Sequence, residues 1–545
     1  MKKIFLPLLL VSLFLSRVSA QCTETNETKV LLVGDSWASF MHINSNINNV
    51  FKTWGFSNYK YLSNSNIAVN GAETDDFMQA GKQAEIRTLI NDNPSIEIVH
   101  LSIGGNDFLG DWNVNMTQTE VDTLGSQVMY RLDSVIRFIK SCKPGIKILW
   151  SGYCYTNFKE VITGFLSPTN HPFYNTWHGM GDPDFIQINT MQNYISQKVE
   201  EYCSQTTDVY YINATSLMQY VYGQPTAMSV PPSGTYAAHT QSIPLGDPNY
   251  PSPKASMLDW GFTRDCFHLT PEAYAHLISY HTQKFYHKQL MDDAYMLAEN
   301  TSQTGSVSST GAVSSSLFVG ENSGEQFSTV LSFNTSAMAD TTLRKASLFL
   351  RRKALTGTNP VTSNIEVKIK SGSFGTTANV EAADFSAAGD AAGNPCLFGS
   401  NSANDDWVRL DLPVSVLPFI NNNNNVQFII STPGASGGKT EFYDATDPDF
   451  APVLNTAYGE TPSAISEVNR LKDFRVYPNP TNGRLTIEVV NEVVKNIEVS
   501  NLLGASVLQP QLQNNTIDIS ALPAGMYMLN ITTANGKASQ RIVKE

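Results

Sequence analysis

The chain has 545 residues, which is too long for one ordinary hydrophobic core and predicts two to four domains. Its formal net charge is −13, and only 16% of its residues are charged. Basic residues form no cluster or stripe, and this argues against a nucleic-acid partner.

The first residues have the pattern of a secretory signal peptide. Met1-Lys2-Lys3 is followed by an apolar run and then by the small residues Val18-Ser19-Ala20. We therefore expect residues 1–20 to be removed and the mature chain to begin at Gln21. Cys22 lies one position away from a lipoprotein pattern, so the sequence favours a freed chain. No later apolar stretch reaches the ~20 residues that a membrane span needs.

The mature chain holds six cysteines, and none has the Cys-x-x-Cys spacing of a zinc site. Export to an oxidising compartment permits disulfides, although the sequence does not reveal their pairing. No metal site is expected.

From Lys29 to about Lys288, short apolar runs alternate with longer helical stretches, which predicts one α/β domain with a mostly parallel sheet covered on both faces. The predicted strands are Val30–Val33, Ile96–Ile103, Ile146–Ser151 and Val209–Ile212. The predicted helices are Ala84–Asn91, Val121–Lys140, Ile188–Cys203 and Pro271–Lys288. The stretch from Asn157 to Trp260 is rich in Pro, Gly, Tyr and Asn, and it is either a cleft-shaping loop or lid or a solvated insertion.

The rest of the chain predicts two β-domains. Residues 298–316 are rich in Ser, Thr and Gly and are expected to be a flexible linker that closes the first domain, residues 21–297. Residues 317–460 contain short strand-like runs separated by turns, which predict a β-sandwich. A second linker, residues 461–473, leads to residues 474–545, a small immunoglobulin-like β-sandwich with turns at Asn482-Gly483 and Asn535-Gly536.

A candidate nucleophile follows the first strand. The aliphatic run Val30–Val33 ends at Gly34-Asp35-Ser36, which places Ser36 where a buried strand gives way to a helix. Ligands of open α/β sheets bind at the carboxyl ends of the strands, and a helix N-terminus there supplies N–H groups and a positive dipole end. The tripeptide alone is also typical of ordinary turns.

An acyl-transfer serine needs a base, an orienting acid and oxyanion donors. Gly71 permits close approach of a backbone N–H, and Asn106, after Gly104-Gly105, can present its side-chain amide. His268 precedes a helix start fixed by Thr270-Pro271-Glu272, with Asp265 three residues earlier. Each residue alone is compatible with a plain turn; their shared placement at strand ends of one domain indicates a serine hydrolase.

These motifs resemble the four blocks of the SGNH/GDSL hydrolase family: Gly34-Asp35-Ser36, Gly71, Gly104-x-Asn106-Asp107 and Asp265-x-x-His268. The resemblance covers the first domain and implies a three-layer α/β/α, flavodoxin-like fold and a cofactor-free enzyme. It implies Ser36 as nucleophile, His268 as general base and acid, and Asp265 as its orienting carboxylate. The oxyanion hole would be formed by the Ser36 and Gly71 N–H groups and the Asn106 side chain. Trp37 replaces the family's leucine, which affects the packing of the first helix and the shape of the pocket.

Two further features have alternative interpretations. Gly434-Ala435-Ser436-Gly437-Gly438 fits the Gly-x-Ser-x-Gly nucleophile elbow, but a strand-like run follows instead of a helix, so we interpret it as a hairpin loop. Cys266 lies inside the Asp-x-x-His segment and is either bonded to another cysteine such as Cys203, bracing the loop, or a buried free thiol.

Both later domains also resemble known modules. The middle one loosely resembles jelly-roll modules found beside secreted bacterial hydrolases, through Phe333-Asn334-Thr335-Ser336 and Ala451-Pro452-Val453-Leu454. That resemblance suggests carbohydrate binding, with a structural spacer as the alternative. The last domain is similar to the type A sorting domain of the type IX secretion system, through Tyr477-Pro478-Asn479-Pro480 and Asn501-Leu502-Leu503-Gly504. This implies a bacterium of the Bacteroidetes kind, export across the outer membrane, and removal of the domain.

The sequence thus predicts a secreted serine esterase acting on O-acyl groups of a polysaccharide or, alternatively, a lipase-like acylhydrolase. The alternative from another class is a carbohydrate-binding or adhesion protein on a catalytically inactive SGNH scaffold. The intact set of Ser36, Gly71, Asn106, Asp265 and His268 argues against that alternative.

Overall fold

A computed structural model describes residues 22, 25–339, 342–362, 364–422, 424–459, 474–489, 494–501, 506–533 and 537–545. The expected signal peptide, the second linker and the Asn535-Gly536 turn lie outside these residues. Contacts divide the chain into one compact unit that ends at Tyr458 and a second that begins at Gly459.

A five-stranded parallel sheet organises the first part of the chain, in the order β2-β1-β3-β4-β5. Val30 to Val33 in β1 are fully buried, as expected for a central strand covered on both faces. The strands are β1 Glu27–Gly34, β2 Tyr59–Leu62, β3 Ile98–Ser102, β4 Lys147–Ser151 and β5 Val209–Ile212. The four predicted strands are confirmed, and β2 is an additional edge strand.

Helices cover both faces of this sheet. Those before β5 are α1 Ser36–Ile43, α2 Asn46–Thr53, α3 Ala80–Asp92, α4 Gly105–Asp111, α5 Gln118–Cys142, α6 Phe158–Thr163, α7 Tyr174–Gly179 and α8 Phe185–Gln205. Those after it are α9 Leu217–Tyr222, α10 Pro271–His281 and α11 His287–Gln289, with a π-helical turn Thr282–Tyr286 between the last two. One apolar cluster packs α3, α5 and α8 on one face, and a second packs α1, α2 and α10 on the other. The predicted three-layer α/β/α class is confirmed.

The long stretch from Asn157 to Trp260 contains the 21-residue helix α8, the sheet strand β5 and several short elements rather than one open loop. It contains α6 to α9, and it ends in β6 Met257–Asp259, which pairs with β7 Arg264–Leu269 in a separate antiparallel hairpin. Its polar side chains bond to backbone; Asn189 Nδ2, for example, donates to the carbonyls of Pro248 and Tyr250.

The expected linker at residues 298–316 is not a free linker. It contains β9 Gly305–Ser308 and β10 Val313–Ser314, and β9 pairs antiparallel with a strand of the β-module. The four residues of β9 are all buried. Ser, Thr and Gly composition suggested flexibility, but backbone pairing and burial of Val307 order the segment.

Residues 294–458 form a β-module of antiparallel sheets around a shared apolar core. Besides β9 and β10, its strands are β8 Ala294–Leu297, β11 Leu317–Asn322, β12 Glu325–Asn334, β13 Leu343–Gly357, β14 Glu366–Ser371, β15 Ala391–Gly393, β16 Cys396–Phe398, β17 Trp407–Asp411, β18 Asn425–Ser431, β19 Gly438–Phe442 and β20 Val453–Tyr458. The long β13 pairs with β17 and β20 in its first half and with β19 after a bulge at Arg352, so it joins both sheets.

The β-module shares an apolar core with the α/β domain and is not a separate domain joined only by a linker. Trp407 stacks on Trp54, with ring centroids 5.7 Å apart. Arg409 Nη1 donates to the Gly55 carbonyl at 3.0 Å and to Asn58 Oδ1 at 2.9 Å. A disulfide joins Cys22, before β1, to Cys396 in β16. The two domains therefore form one compact unit.

The C-terminal unit consists of two small antiparallel sheets around a core that includes Leu485, Val499 and Ile531. Its strands are β21 Phe474–Tyr477, β22 Arg484–Val489, β23 Val494–Ser500, β24 Ser506–Leu508, β25 Thr516–Asp518, β26 Gly525–Thr533 and β27 Lys537–Lys544. The expected small β-sandwich is confirmed, with its turn at Asn482-Gly483 between β21 and β22.

Candidate active site

Ser36 is the first residue of α1, directly after β1. Asp35 caps this helix, and its Oδ1 accepts from the Trp37 N–H at 2.9 Å. Gly34 has φ +154°, and a Cβ there would lie 1.8 Å from the Ser102 carbonyl oxygen of β3. Only glycine fits where β1 approaches β3 this closely. Gly34 therefore lets the chain turn sharply enough to place Ser36 at the edge of the sheet.

His268 reaches Ser36 from β7 of the antiparallel hairpin. The sequence predicted a loop position for it, whereas it lies in a short strand, three residues before the first residue of α10. Its Nε2 is 2.8 Å from Ser36 Oγ, and both side chains are largely buried, with exposures of 8% and 6%. Thr270 caps α10 as predicted, accepting from the Ala273 N–H, and this fixes the end of the strand.

Asp265 holds the other side of the imidazole ring. His268 Nδ1 lies 2.9 Å from Asp265 Oδ2, and Asp265 Oδ1 accepts from the backbone N–H groups of Phe267 and His268. The carboxylate is fully buried, and Trp260 Nε1 also donates to its Oδ2 at 3.2 Å. With Nδ1 protonated towards Asp265, the Nε2 lone pair faces the Ser36 hydroxyl.

Gly71 lies on the loop after β2, and Asn106 lies at the start of α4, which follows β3. Gly71 has φ +76° and open space where a Cβ would be, so its backbone is accessible in a conformation that favours glycine. Asn106, the second residue of α4, donates through Nδ2 to the Ala72 carbonyl at 2.9 Å, which ties the two loops together. That bond uses one of its two amide hydrogens and leaves the other for a ligand.

Tyr153, which the sequence analysis did not select, connects the nucleophile turn to the Asn106 loop. Its hydroxyl donates to Asp35 Oδ2 and accepts from the Gly105 N–H at 3.0 Å. Burial raises the pKa of the Asp35 carboxyl to about 7, against the opposing effect of the hydrogen bonds from Tyr153 and Trp37. Its position just after β4, at the same sheet edge as Ser36, was the only sequence signal for Tyr153.

Asp107, quoted in the third motif without a role, supports the loop that carries Gly71. It is buried and accepts from both the backbone N–H and the hydroxyl of Thr74, and Arg131 of α5 pairs with it at 3.3 Å. Burial raises the pKa of Asp107, although the Thr74 bonds lower it.

Trp37 contributes to the packing of α1, as the family resemblance implied. It is 2% exposed, and its ring makes edge contacts with Tyr153 at 5.0 Å and Tyr274 at 5.4 Å. Phe40, one turn later on α1, covers the His268 ring with centroids 4.8 Å apart. Aromatic rings thus pack against both α1, which begins at Ser36, and the His268 ring.

Cys266 is a buried free thiol, so the bracing disulfide to Cys203 is wrong; Cys203 is free as well. Within the residues that the structure describes, no group of three or more His, Cys, Asp or Glu side chains is arranged to hold a metal ion. The Gly434–Gly438 segment connects β18 to β19 and precedes no helix, which rules out a nucleophile elbow. Those strands are not paired with each other, so it is a crossover loop rather than the predicted hairpin.

Two family models match separate parts of the chain. The model of the GDSL-like lipase/acylhydrolase family matches residues 25–280, and that of the secretion system C-terminal sorting domain matches residues 475–545. No curated protein matched the chain. Nothing in the described part of the chain is a helix long and apolar enough to cross a membrane.

Two bacterial proteins are among the solved structures that match part of this chain. A putative acylhydrolase from Bacteroides fragilis is 15% identical, with 49% of this chain and 92% of that chain covered and a TM-score of 0.26. A family 3 carbohydrate esterase from Clostridium thermocellum is 14% identical, with 49% and 98% covered and a TM-score of 0.27. By the two family-model matches, residues 25–280 of this chain are a GDSL-like lipase/acylhydrolase domain, and residues 475–545 are a secretion system C-terminal sorting domain.

Proposed function

We propose that the α/β domain hydrolyses carboxylic esters through an acyl-enzyme on Ser36. One observation carries the proposal: His268 bridges Ser36 Oγ at 2.8 Å and Asp265 Oδ2 at 2.9 Å in a buried setting. This is the geometry of a nucleophile with a base and an orienting acid.

The roles follow from the direction of these hydrogen bonds. Ser36 Oγ attacks the ester carbonyl while His268 Nε2 takes its proton, and Asp265 stabilises the imidazolium that forms. The tetrahedral intermediate collapses, the C–O bond to the alcohol breaks, and His268 returns the proton to the leaving oxygen. A water then repeats the sequence on the acyl-enzyme, releasing the acid and free Ser36.

The oxyanion would be held by the Ser36 and Gly71 N–H groups and the second amide hydrogen of Asn106. The Ala72 bond supports this role because it orients the Asn106 amide before substrate arrives. Such preorganised donors act on charge that develops only in the transition state, so they raise turnover more than substrate affinity.

The test is hydrolysis of p-nitrophenyl acetate, longer p-nitrophenyl esters and acetylated xylan by the wild type and variants. Ser36→Ala is expected to abolish turnover, and Asn106→Ala to lower it by on the order of 10²–10³. Ser39→Ala, on the same helix, is the matched control and should retain activity. Ester hydrolysis that survives in Ser36→Ala would overturn the proposal, and release of acetate from xylan would assign polysaccharide esters as substrates.

We also propose that the sorting domain directs export through the type IX system and is removed afterwards. Deleting residues 474–545 should leave an active enzyme in the periplasm, which fractionation and activity staining of a native host would detect. Unchanged secretion of the shortened chain would contradict this role.

A further inference from the structure

The turn between β6 and β7 exposes two aromatic side chains beside Asp265. Trp260 is 45% exposed and Phe262 is 68% exposed. The Trp260 N–H donates to the Thr263 carbonyl at 2.9 Å, and Gly261, with φ +84°, allows this tight turn. Large apolar side chains grouped at the surface, unlike single exposed ones, are typical of binding sites. We call Trp260 and Phe262 the aromatic tip.

Contacts with a neighbouring segment fix the aromatic tip in one position. His171 is 3% exposed, and its Nε2 lies 3.0 Å from Thr263 Oγ1 and 3.1 Å from the Arg264 carbonyl oxygen. Arg264 also pairs with Asp259 at 3.1 Å, between β7 and β6. A ligand that binds a surface ordered in advance loses less free energy to ordering the protein.

A row of ring contacts leads from His268 to the aromatic tip. The centroids of successive rings are 5.5 to 6.5 Å apart, in the order His268, Phe173, His171, Phe165 and Phe262. Phe173 and Phe165 are partly exposed, so the row borders solvent. The aromatic tip is therefore continuous with the rings around His268.

The chemistry proposed for Ser36 brings the alcohol part of the ester to this row. His268 Nε2 returns its proton to the leaving oxygen, so that oxygen has to lie within hydrogen-bond distance of Nε2. The rest of the alcohol then extends from His268 over the rings that flank it. Phenyl and indole rings offer π-faces rather than hydrogen bonds, which favours a partner with a flat apolar face.

Trp260 also contacts the Asp265 carboxylate directly. Its Nε1 donates to Asp265 Oδ2 at 3.2 Å, and the same oxygen lies 2.9 Å from His268 Nδ1. Asp265 is fully buried, whereas Trp260 is nearly half exposed. The indole thus helps to orient the carboxylate with its N–H and leaves its ring available to a ligand.

We propose that the aromatic tip binds the alcohol part of the ester and selects alcohols with a flat apolar ring face, that of an aryl group or of a pyranose. This inference rests on the proposed function of Ser36. Stacking of one such ring on Phe262 or Trp260 raises kcat/KM by up to about tenfold. Trp260 is in addition a positioning residue, because its N–H acts on the reaction only through Asp265.

The test holds the acyl group constant and varies the alcohol. The full-length enzyme is assayed by acetate release from ethyl, hexyl and benzyl acetate and from a methyl mono-O-acetyl-β-xylopyranoside. At least one of the two ring esters should exceed ethyl acetate in kcat/KM by about fivefold or more. A preference for the benzyl ester assigns aryl alcohols, and a preference for the xyloside assigns sugars. Hexyl acetate supplies apolar bulk without a ring and should have a lower kcat/KM than the preferred ring ester.

Substitutions separate the ring faces from the indole N–H. Phe262→Ala should lower the ratio of the preferred ring ester to ethyl acetate by about threefold or more, because one stacking surface is lost. Phe262→Leu keeps apolar bulk at this position and should have the same effect, so the result does not depend on a loss of folding. Tyr130→Ala, at an aromatic residue of α5 that is 71% exposed, is the matched control and should keep the wild-type rates and ratios.

Trp260→Phe keeps a ring and removes the N–H that bonds Asp265. It should lower kcat on ethyl acetate and on the ring esters by the same factor, roughly three- to tenfold, with KM and the ratio between esters unchanged. An unchanged kcat in this variant would overturn the positioning role of Trp260.

The remaining outcomes distinguish the aromatic tip from the proposed function. Equal kcat/KM on ethyl acetate and both ring esters would overturn alcohol binding at the tip while leaving Ser36 as nucleophile. Hexyl acetate hydrolysed as well as the ring esters, or ratios unchanged in both Phe262 variants, would do the same. A wild type inactive on every ester would overturn the proposed function itself.

Discussion

Two hydrogen bonds of one side chain link the turn that carries Ser36 to the segment that carries Asn106. The Tyr153 hydroxyl is shared between Asp35, which caps the Ser36 helix, and the Gly105 N–H, beside Asn106. The pKa of Asp35 is about 7, so its carboxyl is close to half-ionised at neutral pH. The hydrogen bond that Tyr153 donates favours the ionised form. We infer that Tyr153 is a positioning residue for both Ser36 and Asn106.

Tyr153→Phe is expected to lower kcat by about tenfold, which corresponds to ~1.4 kcal/mol of transition-state stabilisation, with little change in KM. Loss of the hydroxyl donor also raises the pKa of Asp35 further, so the acidic limb of the kcat/KM profile should move to higher pH. The measurement is steady-state kinetics from pH 5 to 9. Tyr202→Phe, which removes a hydroxyl bonded to Asp133 between α5 and α8, is the control; equal effects of both substitutions would argue against a positioning role.

At the scale of elements, the segment from α10 to α11 places ionisable rings in the core. His281 and His287 are 0% and 5% exposed, and burial lowers the pKa of each to about 3. His281 faces the buried His100, with ring centroids 5.5 Å apart, and His287 packs on Trp407 at 4.4 Å. These rings are neutral in the folded protein and take up protons only on unfolding.

Acid should therefore destabilise the protein through this segment. The unfolded histidines titrate near 6.5, so between pH 6.5 and 3 the unfolded state binds more protons and the free energy of unfolding falls as pH falls. From pH 6.5 to 5 the loss is about 2 kcal/mol per histidine. Urea unfolding of His281→Leu should show a shallower loss over this range. His178→Gln, at a side chain 62% exposed, should retain the wild-type slope, and an unchanged slope in His281→Leu would contradict the prediction.

Apolar periodicity was sufficient to locate the four central strands and their helices, because burial on both sheet faces demands long aliphatic runs and amphipathic helices. It missed β2, whose Tyr59-Lys60-Tyr61-Leu62 sequence is that of a half-exposed edge strand. The close approach of Ser36, Asp265 and His268 was predictable, since Ser36 follows a strand and the other two precede a capped helix. Tyr153 was not, because its hydrogen bond to Asp35 joins segments 118 residues apart in sequence. Trp260 lies only five residues before Asp265, but no motif marked it as a hydrogen-bond donor to that carboxylate.

At the scale of the molecule, the β-module and the α/β domain belong to one compact unit. Asn58, which bonds Arg409, lies just before β2 at the amino edge of the sheet, whereas Ser36 lies at the carboxyl edge. Lys284 adds an ion pair to Asp449 at 2.7 Å. These contacts favour the structural alternative for the module, which completes the core beneath the site.

A chain ending at Leu297 should therefore fail to fold, since Trp54, Phe56 and His287 would lose the apolar surface of Phe349 and Trp407. A chain ending at Gly459 should retain the Tm and esterase activity of the full protein. Circular dichroism melting curves of the two truncations test this. A cooperative transition at the wild-type temperature in the shorter chain would show that the α/β domain is independent.

The disulfide between Cys22 and Cys396 adds an order of events to this architecture. Cys396 is synthesised 374 residues after Cys22, so the entire α/β domain emerges while Cys22 still lacks its partner. Four other thiols are present in that interval, and burial raises the pKa of Cys154 to about 12 and that of Cys266 well above its usual value. A folded α/β domain keeps these two thiols protonated and shielded from exchange. Correct oxidation therefore depends on the α/β domain and the β-module packing together before the Cys22–Cys396 bond forms, and the bond then joins two segments that the shared core already holds in place.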